Sequence, residues 1–348
     1  MRFYNKTHGH YCGIDLHART MYLCILDRDG QIVHHKNHKA NPDELLSAIY
    51  PYREDIAISA ECMFTWYWLA DTCEDVGIPF VLGHALYMKA IHGGKAKNDR
   101  IDAHKIAVLL RGGMLPMAYV YPRRMRSTRD LLRRRNHFVH KKSELLTHIH
   151  GTRDQSNLSS FGKPITQRRN REEIADRFQD PTIRKTVEVD IALANTYDQL
   201  LRELEDHIHQ NAQRHDGNAL ARLRTIPGIG RILGMTILYE VGDIQRFERV
   251  QNFVSYCRLV KLTKESAGKV LGHSGKKIGN AHLKWAFSEA ALLFPRHSAH
   301  GMKLYQRLKK KHGRGKCLTV LAHKIGRAVY FMLKRQQVFD LDRFVATG

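Results

Sequence analysis

The chain has 348 residues, 43% of them hydrophobic, which is enough for two or more domains with cores of their own. No apolar run approaches the roughly 20 residues of a membrane span, and the N-terminus lacks a secretory hydrophobic region, so we expect a cytoplasmic protein. Six scattered cysteines without a Cys-x-x-Cys pair predict neither a zinc site nor a disulfide framework. Lys and Arg outnumber Asp and Glu by 57 to 34, and the net charge of +23 favours a polyanionic partner, above all nucleic acid.

The first segment, residues 13–33, predicts an antiparallel meander. Apolar Ile14 and Leu16 alternate around Asp15, and Asp29–Gly30 is a tight-turn signal between two further apolar runs. A carboxylate in an apolar strand needs a partner, because its unpaired burial is costly. A metal ion would satisfy Asp15, and so would backbone donors at a sheet edge.

The next elements extend this meander into a mixed sheet. We predict a helix from Pro42 to about 53, a strand over 55–60 that ends in Glu61, a helix over 64–76 and a strand over 79–82. The nearly continuous apolar run before Glu61 is typical of a strand that is covered on both faces. The resulting β-β-β-α-β-α-β order favours a mixed sheet flanked by helices.

A helix follows over residues 98–110. Asp99 and Asp102 lie three residues apart and therefore share one helical face, which Ile106 and Leu109 continue. This spacing places the two carboxylates on the stripe that packs on the sheet, although a solvated cap is the alternative for Asp99.

Two long helices are predicted to pair with each other or across a subunit interface. In the first, from Arg123 to about 150, leucines and other apolar residues recur every seven positions, and nine basic residues stand against one acidic residue between 123 and 142. We interpret Arg133, Arg134 and Arg135 on it as a nucleic-acid surface. Residues 151–180 predict a linker or mobile loop. The second helix, about 181–213, carries a heptad seam of Val187, Ala194, Leu201 and Ile208, with Tyr197 and Leu204 as its companions.

The C-terminal region combines a helix-hairpin-helix signal with a basic loop. Ile-Pro-Gly-Ile-Gly, ending at Gly230, predicts a turn whose Gly228 and Gly230 expose backbone N–H groups to phosphate before a helix to about 241. Residues 264–279 predict a glycine-rich loop in which Lys269, Lys276 and Lys277 would hold phosphate. Helices over 280–294, 298–311 and 317–334 complete the chain.

Together, Asp15, Glu61, Asp99 and Asp102 predict a metal site. In a ribonuclease-H-like fold these positions converge at one sheet edge, where four carboxylates would repel one another without divalent cations. Hard oxygen ligands select Mg²⁺ or Mn²⁺, and two ions about 4 Å apart would clamp the attacking and leaving oxygens of a phosphodiester.

Gly-Ile-Asp15, Ala-Glu61 and Asn-Asp99-Arg-Ile-Asp102-Ala resemble the Asp-Glu-Asp-Asp set of bacterial insertion-sequence transposases with a RuvC-like domain, relatives of the Piv-type invertases. Ile-Pro-Gly-Ile-Gly, Phe-Val-Ser-Tyr-Cys-Arg-Leu-Val and Ser-Ala-Gly-Lys resemble that family's transposase domain. The resemblance implies an α/β plus α chain in three parts: an RNase H/RuvC-like catalytic domain over 1–122, a coiled-coil region over 123–216 and a mainly helical transposase domain over 217–348.

The resemblance also implies a covalent mechanism. In this family a serine attacks DNA and forms a phosphoserine intermediate with metal assistance, and the matching residue here is Ser266. Ala267 separates it from Gly268 where many relatives have Ser-Gly, and Lys276-Lys277-Ile-Gly stands where many have Ser-Lys-x-Gly. Ser274 is therefore a rival, and turn chemistry is the alternative for either serine.

Family members use a bridge RNA to choose donor and target DNA, and they act as tetramers, so we expect DNA, a bridge RNA and further copies of this chain (a dimer or tetramer) as partners. Activity would be associated with the bacterial nucleoid. Two other functions stay open. One is a RuvC-like resolvase that cuts branched DNA with water, and the other is a non-catalytic nucleic-acid-binding protein, which leaves the four carboxylates unexplained.

Overall fold

The computed structural model describes residues 2–91, 98–274 and 278–346, and the chain divides into two units, Met1–Arg123 and Arg124–Gly348. Within the described ranges, no helix combines the length and the apolar character needed to cross a membrane. Each unit builds its own core, as the length of the chain allows.

A five-stranded mixed sheet forms the centre of the first unit. Its strands are β1 His10–Leu16, β2 Thr20–Asp27, β3 Ile32–Lys39, β4 Ile56–Glu61 and β5 Phe80–Gly83. Their order is β3-β2-β1-β4-β5, with antiparallel pairing in the first three strands and parallel pairing of β1 with β4 and of β4 with β5. The predicted meander and mixed sheet are confirmed, and so is the turn at Gly30, whose φ of +89° suits glycine.

Helices cover both faces of this sheet. They are α1 Pro42–Ile49, α2 Trp66–Asp75, α3 Ala85–Ile91 and α4 Asp99–Arg111. Leu45 of α1 and Leu69 of α2 share one core with Ile14, whereas Ile106 of α4 packs with Tyr11 on the opposite face. The sequence did not predict α3, which is only seven residues long.

The second unit begins with the two long helices, α5 Arg123–Gln155 and α6 Pro181–Leu223. All four residues of the predicted heptad seam in α6 are buried: Val187, Ala194, Leu201 and Ile208. Ion pairs join Arg135 to Glu205, Lys142 to Asp198 and His148 to Asp190. Residues later in α5 therefore contact residues earlier in α6. The helices therefore pair with each other, antiparallel and within one chain.

The segment predicted as a linker or mobile loop over 151–180 does connect the two long helices, but it packs against both of them. The α5 helix continues to Gln155, and Ile165, Ile174 and Phe178 are buried in a core shared by both long helices. Arg171 is almost fully buried and pairs with Asp198 at 2.7 Å. The polar composition did not predict this packing, because a buried arginine whose donors are bonded within the fold looks like a surface residue in the sequence.

The remaining elements pack around the C-terminal end of α6. They are α7 Arg231–Val241, α8 Val250–Tyr256, β6 Leu262–Ser266, β7 Lys269–Ser274, α9 Ala281–Leu293, α10 Ala299–His312, α11 Arg314–Arg335 and α12 Leu341–Ala346. The backbone of α6 runs unbroken across residues 216 and 217, where the sequence suggested a domain boundary. Regions 123–216 and 217–348 therefore belong almost entirely to a single unit.

Candidate functional site

A glycine in β1 draws α4 onto the sheet and thereby positions the first carboxylate. A Cβ at Gly13 would lie only 2.3 Å from the Ala103 carbonyl oxygen and from the Ala107 nitrogen, so only glycine permits this approach. Because side chains alternate along a strand, Asp15, two residues after Gly13 in β1, lies on the same face of the sheet. Its carboxylate is 18% exposed, close to where α4 begins.

The first turn of α4 supplies the next two carboxylates. Asn98 caps the helix by accepting a hydrogen bond of 2.7 Å from the Ile101 N–H, and Asp99 and Asp102 follow it. Acidic residues are favoured here by the positive end of the helix dipole. Asp99 is 53% exposed, so it does not share the buried stripe that the sequence predicted for it. Asp102 is 25% exposed and lies 3.5 Å from the Lys105 Nζ.

Asp15, His17 and Asp99 form the one cluster of three possible metal ligands found in the described part of the chain. The His17 Nε2 is 3.6 Å from the Asp15 Oδ2 and 3.5 Å from the Asp99 Oδ1, and all three atoms lie within 4.8 Å of one another. Atoms bound to one ion at about 2.1 Å cannot be more than about 4.2 Å apart, so the distances from the His17 Nε2 to the two carboxylates suit a shared cation. The two carboxylates are hard oxygen donors and fit Mg²⁺ or Mn²⁺.

Glu61 is the last residue of β4, at the same end of the sheet as Asp15. β1 and β4 are parallel, and Ile14 pairs with Ala60, so Asp15 and Glu61 each come one residue later on neighbouring strands. This register places both carboxylates on the face that α4 covers. The fold thus assembles Asp15 with Asp99 and puts Glu61 on the adjacent strand end.

His17 is the site residue that the sequence reasoning missed. It follows β1, and its ring nitrogen lies between the carboxylates of Asp15 and Asp99. The available signal was the spacing Asp-x-His, because residues two apart on an extended chain share one face.

Ser266 ends β6 in a hairpin rather than in the flexible loop that the sequence predicted. Ser266 pairs with Lys269, and the two-residue turn between them has φ of +49° at Ala267 and +74° at Gly268. Positive φ at both central residues matches the right-handed twist of a hairpin. Ala267 thus occupies the first turn position. Ser266 and Lys269 are exposed, Ser274 ends β7, and Lys276 and Lys277 lie outside the described residues.

The three arginines predicted as a nucleic-acid surface on α5 have different environments. Arg133 donates to both oxygens of Glu240, at 2.6 and 3.0 Å, and Arg135 donates to Glu205 at 2.6 Å. Arg134 is exposed and stacks over the Phe138 ring at 4.5 Å. Arg133 and Arg135 thus each have two donor groups engaged by carboxylates of the second unit, whereas the side chain of Arg134 is exposed.

Glu240 is the centre of a buried polar network that the sequence did not reveal. Besides Arg133, it accepts hydrogen bonds from the Arg129 Nε at 3.1 Å and from the Asn280 side chain at 2.7 Å. Burial alone would raise the pKa of Glu240, but the hydrogen bond from Arg133 and the charge of Arg129 hold it below its usual value. The network joins α5, α7 and the start of α9.

The two glycines of the predicted hairpin motif also differ from each other. Gly228 has a φ of +85°, and a Cβ there would lie 2.8 Å from the backbone of Leu293 and Phe294, so packing alone requires a glycine. Gly230 caps the N-terminus of α7, and a Cβ at this position would meet open space. The open backbone next to a helix N-terminus keeps Gly230 a candidate for phosphate contact.

The sheet order and its acidic edge define the first unit as an RNase H/RuvC-like domain, joined here to a mainly helical unit. A family model for DEDD transposases of the IS110 type, described as "Transposase", matches residues 12–157, and the model described as "Transposase IS116/IS110/IS902 family" matches residues 220–306. Together they cover about two thirds of the chain, which therefore belongs to the IS110/IS116/IS902 family of insertion-sequence transposases.

A curated relative agrees with this assignment. The chain is 22% identical over 339 residues to the transposase for insertion sequence element IS1111A of Coxiella burnetii, and the match covers 94% of this chain and 90% of the relative. Membership of the family implies DNA as partner and an activity that cleaves and recombines DNA.

Proposed function

We propose that the protein transposes its element by metal-assisted strand cleavage and exchange, with Asp15, Glu61, Asp99 and Asp102 as ligands for two divalent cations. The cluster of Asp15, His17 and Asp99 carries this proposal, because it brings two carboxylate oxygens and an imidazole nitrogen within 4.8 Å of one another. The match to the DEDD family model spans all four carboxylates and supports it further.

The residues of this edge have separable tasks. Bound there, Mg²⁺ or Mn²⁺ would stabilise negative charge on the scissile phosphate and lower the pKa of the attacking hydroxyl. Asp15 lies on a strand fixed by two neighbours, so it supplies a rigid ligand. Asp99 is exposed at a helix end and can adjust to the substrate. His17 lies between them, and its Nε2 would be a further ligand atom for the ion.

Ser266 supplies the nucleophile in this proposal. The serine Oγ forms a bond to phosphorus while the bond from phosphorus to a deoxyribose oxygen breaks, and the serine proton passes to that leaving oxygen. The phosphoserine conserves the energy of the phosphodiester, so strands are exchanged without an external energy source. The hairpin supports this assignment, because it presents Ser266 at an exposed tip, with exposed Lys269 as its cross-strand partner.

A bridge RNA is the proposed guide, and a dimer or tetramer the proposed assembly. The exposed cations available for RNA and DNA include Arg134 on α5 and Lys309, Lys310 and Lys311 on α10. Each is on the surface of the second unit. Phosphates contacted there would release counterions, so binding should weaken steeply with salt.

A denaturing gel tests the covalent step. End-labelled DNA carrying the element ends should comigrate with wild-type protein and with Ser274→Ala, the matched control, but not with Ser266→Ala. An adduct that persists in Ser266→Ala and disappears in Ser274→Ala would assign the nucleophile to Ser274. Cut DNA without any adduct in the wild type would favour a water-based resolvase.

Complementation tests whether subunits cooperate. Asp102→Asn and Ser266→Ala proteins should each be inactive, and their mixture should regain partial activity if one subunit supplies the carboxylates and another the serine. Both variants should still bind nucleic acid. A mixture as inactive as its parts would place both functions in one subunit.

A further inference from the structure

A cavity of about 610 Å³ lies among α10, α11 and α12, far along the chain from the carboxylates and the serine. Its walls include Leu308, Lys324, Arg327, Phe331, Arg335 and Phe344. The volume falls in the range of about 300–1,000 Å³ that is typical of small-ligand sites. No step proposed above uses this cavity.

Lys324 gives the cavity an unusual polar feature. Its Nζ is buried, and among the described residues it has no hydrogen-bond partner. The ammonium lies 4.8 Å from the centre of the Phe344 ring, a contact that compensates only part of its lost hydration. Burial and the charge of Arg307 lower the pKa of Lys324. An anion in the cavity would supply the missing acceptor.

The remaining lining combines positive charge with aromatic surface. Lys324, Arg327, Arg335 and Arg343 face one acid, Asp340, among the lining residues. The Arg335 guanidinium lies 4.9 Å from the centre of the Phe331 ring, so charge and ring surface occur side by side. A ligand that fits both features carries an anionic group and a flat apolar ring.

We propose that this cavity binds one unstacked nucleotide of a nucleic acid, with its base against the phenylalanine rings and its phosphate at Lys324. Stacking on an aromatic side chain strengthens binding and tolerates any base, because every base has a π-face. An apolar side chain of a protein partner would fill the volume but leave the Lys324 ammonium without an acceptor, so the lining favours the nucleotide. This site would hold an extruded base of DNA or RNA away from the chemistry.

Titration calorimetry of the full-length protein with deoxyadenosine monophosphate tests the proposal. Lys324→Met keeps the length of the side chain and should weaken binding about tenfold or more, as expected for a lost charged hydrogen bond. Val320→Trp should weaken it similarly by filling the cavity, which Val320 lines. The matched control is Lys303→Met, which removes the same charge from the exposed surface of α10 outside the cavity lining and should leave the affinity within about twofold.

Two further measurements separate this role from others. Lys324→Met should melt no lower than the wild type, because it removes a buried ammonium without an acceptor, whereas a purely structural lysine would lower the melting temperature when replaced. Inorganic phosphate should bind more weakly than the nucleotide. Equal nucleotide affinity in wild type and Lys324→Met, equal affinity for phosphate and nucleotide, or no nucleotide binding would each overturn the proposal. None of these outcomes depends on strand cleavage.

Discussion

Carboxylates occur in two contrasting settings in the two units. Glu240 in the second unit is 1% exposed and accepts hydrogen bonds from two arginines and an asparagine at 2.6–3.1 Å. Asp99 in the first unit is 53% exposed, and its contact with His17 is 3.5 Å long. Asp15 has a similar contact with His17, at 3.6 Å.

The difference separates a structural acid from the carboxylates that we propose as metal ligands. Glu240 has its charge balanced by short bonds inside the fold, so an external cation has little to offer it. Asp15 and Asp99 each have a contact of at least 3.5 Å to His17, which is charged only when protonated, and Asp99 is also accessible. The proposed ligands therefore differ from Glu240 in the length of these contacts and in the nature of the partner.

The largest effect should follow from a change at the ligand set. Asp102→Asn should abolish recombination, because it removes a ligand charge, while the fold persists. Without metal, its melting temperature should equal or exceed that of the wild type, since repulsion among the carboxylates falls. Recombination assays and thermal melts check this. The control is Asp43→Asn on the exposed start of α1, and wild-type activity in Asp102→Asn would refute the assignment.

Glu240→Ala should instead unfold the second unit more easily. Removing the acid takes away the carboxylate that buried Arg129 and half-buried Arg133 share, a loss of about 3–5 kcal/mol. Urea denaturation measures it. Glu188→Gln removes an acid paired with Lys185 on the surface of α6 and should cost less than about 1 kcal/mol. Equal effects of the two changes would erase the contrast between the settings.

The second unit should also lose stability in acid through Glu240. Its pKa in the folded state lies below the usual 4.5, so its contribution is complete above about pH 4.5 and is lost as the pH falls through the folded-state pKa. Urea midpoints at a series of pH values from 7 to 3 should show this fall. Glu240→Gln cannot titrate, so the part of the fall due to this group should be missing; an identical slope would exclude it as the cause.

A smaller effect is expected on nucleic-acid binding. Arg134→Gln should reduce the slope of log affinity against log salt by about one unit, the contribution of one phosphate contact. Arg133→Gln should lower stability through Glu240 instead. Binding titrations at several salt concentrations, with melts of both variants, separate these outcomes. An unchanged slope in Arg134→Gln would mean that this side chain is only solvated.

Local patterns predicted much of the fold and part of the site. Alternation around Asp15 predicted β1, the heptads predicted the seam of α6, and the spacing of Asp99 and Asp102 placed both on one helix. These features depend on neighbours within a few residues, so the sequence reveals them. The resemblance of these motifs to transposases also predicted the family that the comparisons report.

Distant pairings escaped prediction because no local period encodes them. Arg133 pairs with Glu240, 107 residues later in the chain. A side chain that the local pattern placed on a basic surface therefore belongs to a buried polar network. Arg171 likewise fixes a segment that looked like a linker. The hairpin at Ser266 depends on a left-handed backbone at Ala267. Alanine rarely adopts this conformation, so the sequence does not predict it.

Manganese binding tests the central contrast most directly. Titration of the full-length protein with Mn²⁺, followed by the electron paramagnetic resonance signal of the unbound ion, should show binding in the wild type and in Glu188→Gln. Asp15→Asn should weaken the binding about tenfold or more, because a rigid anionic ligand is lost. Mn²⁺ bound as tightly by Asp15→Asn as by the wild type would contradict a metal site at this edge of the sheet.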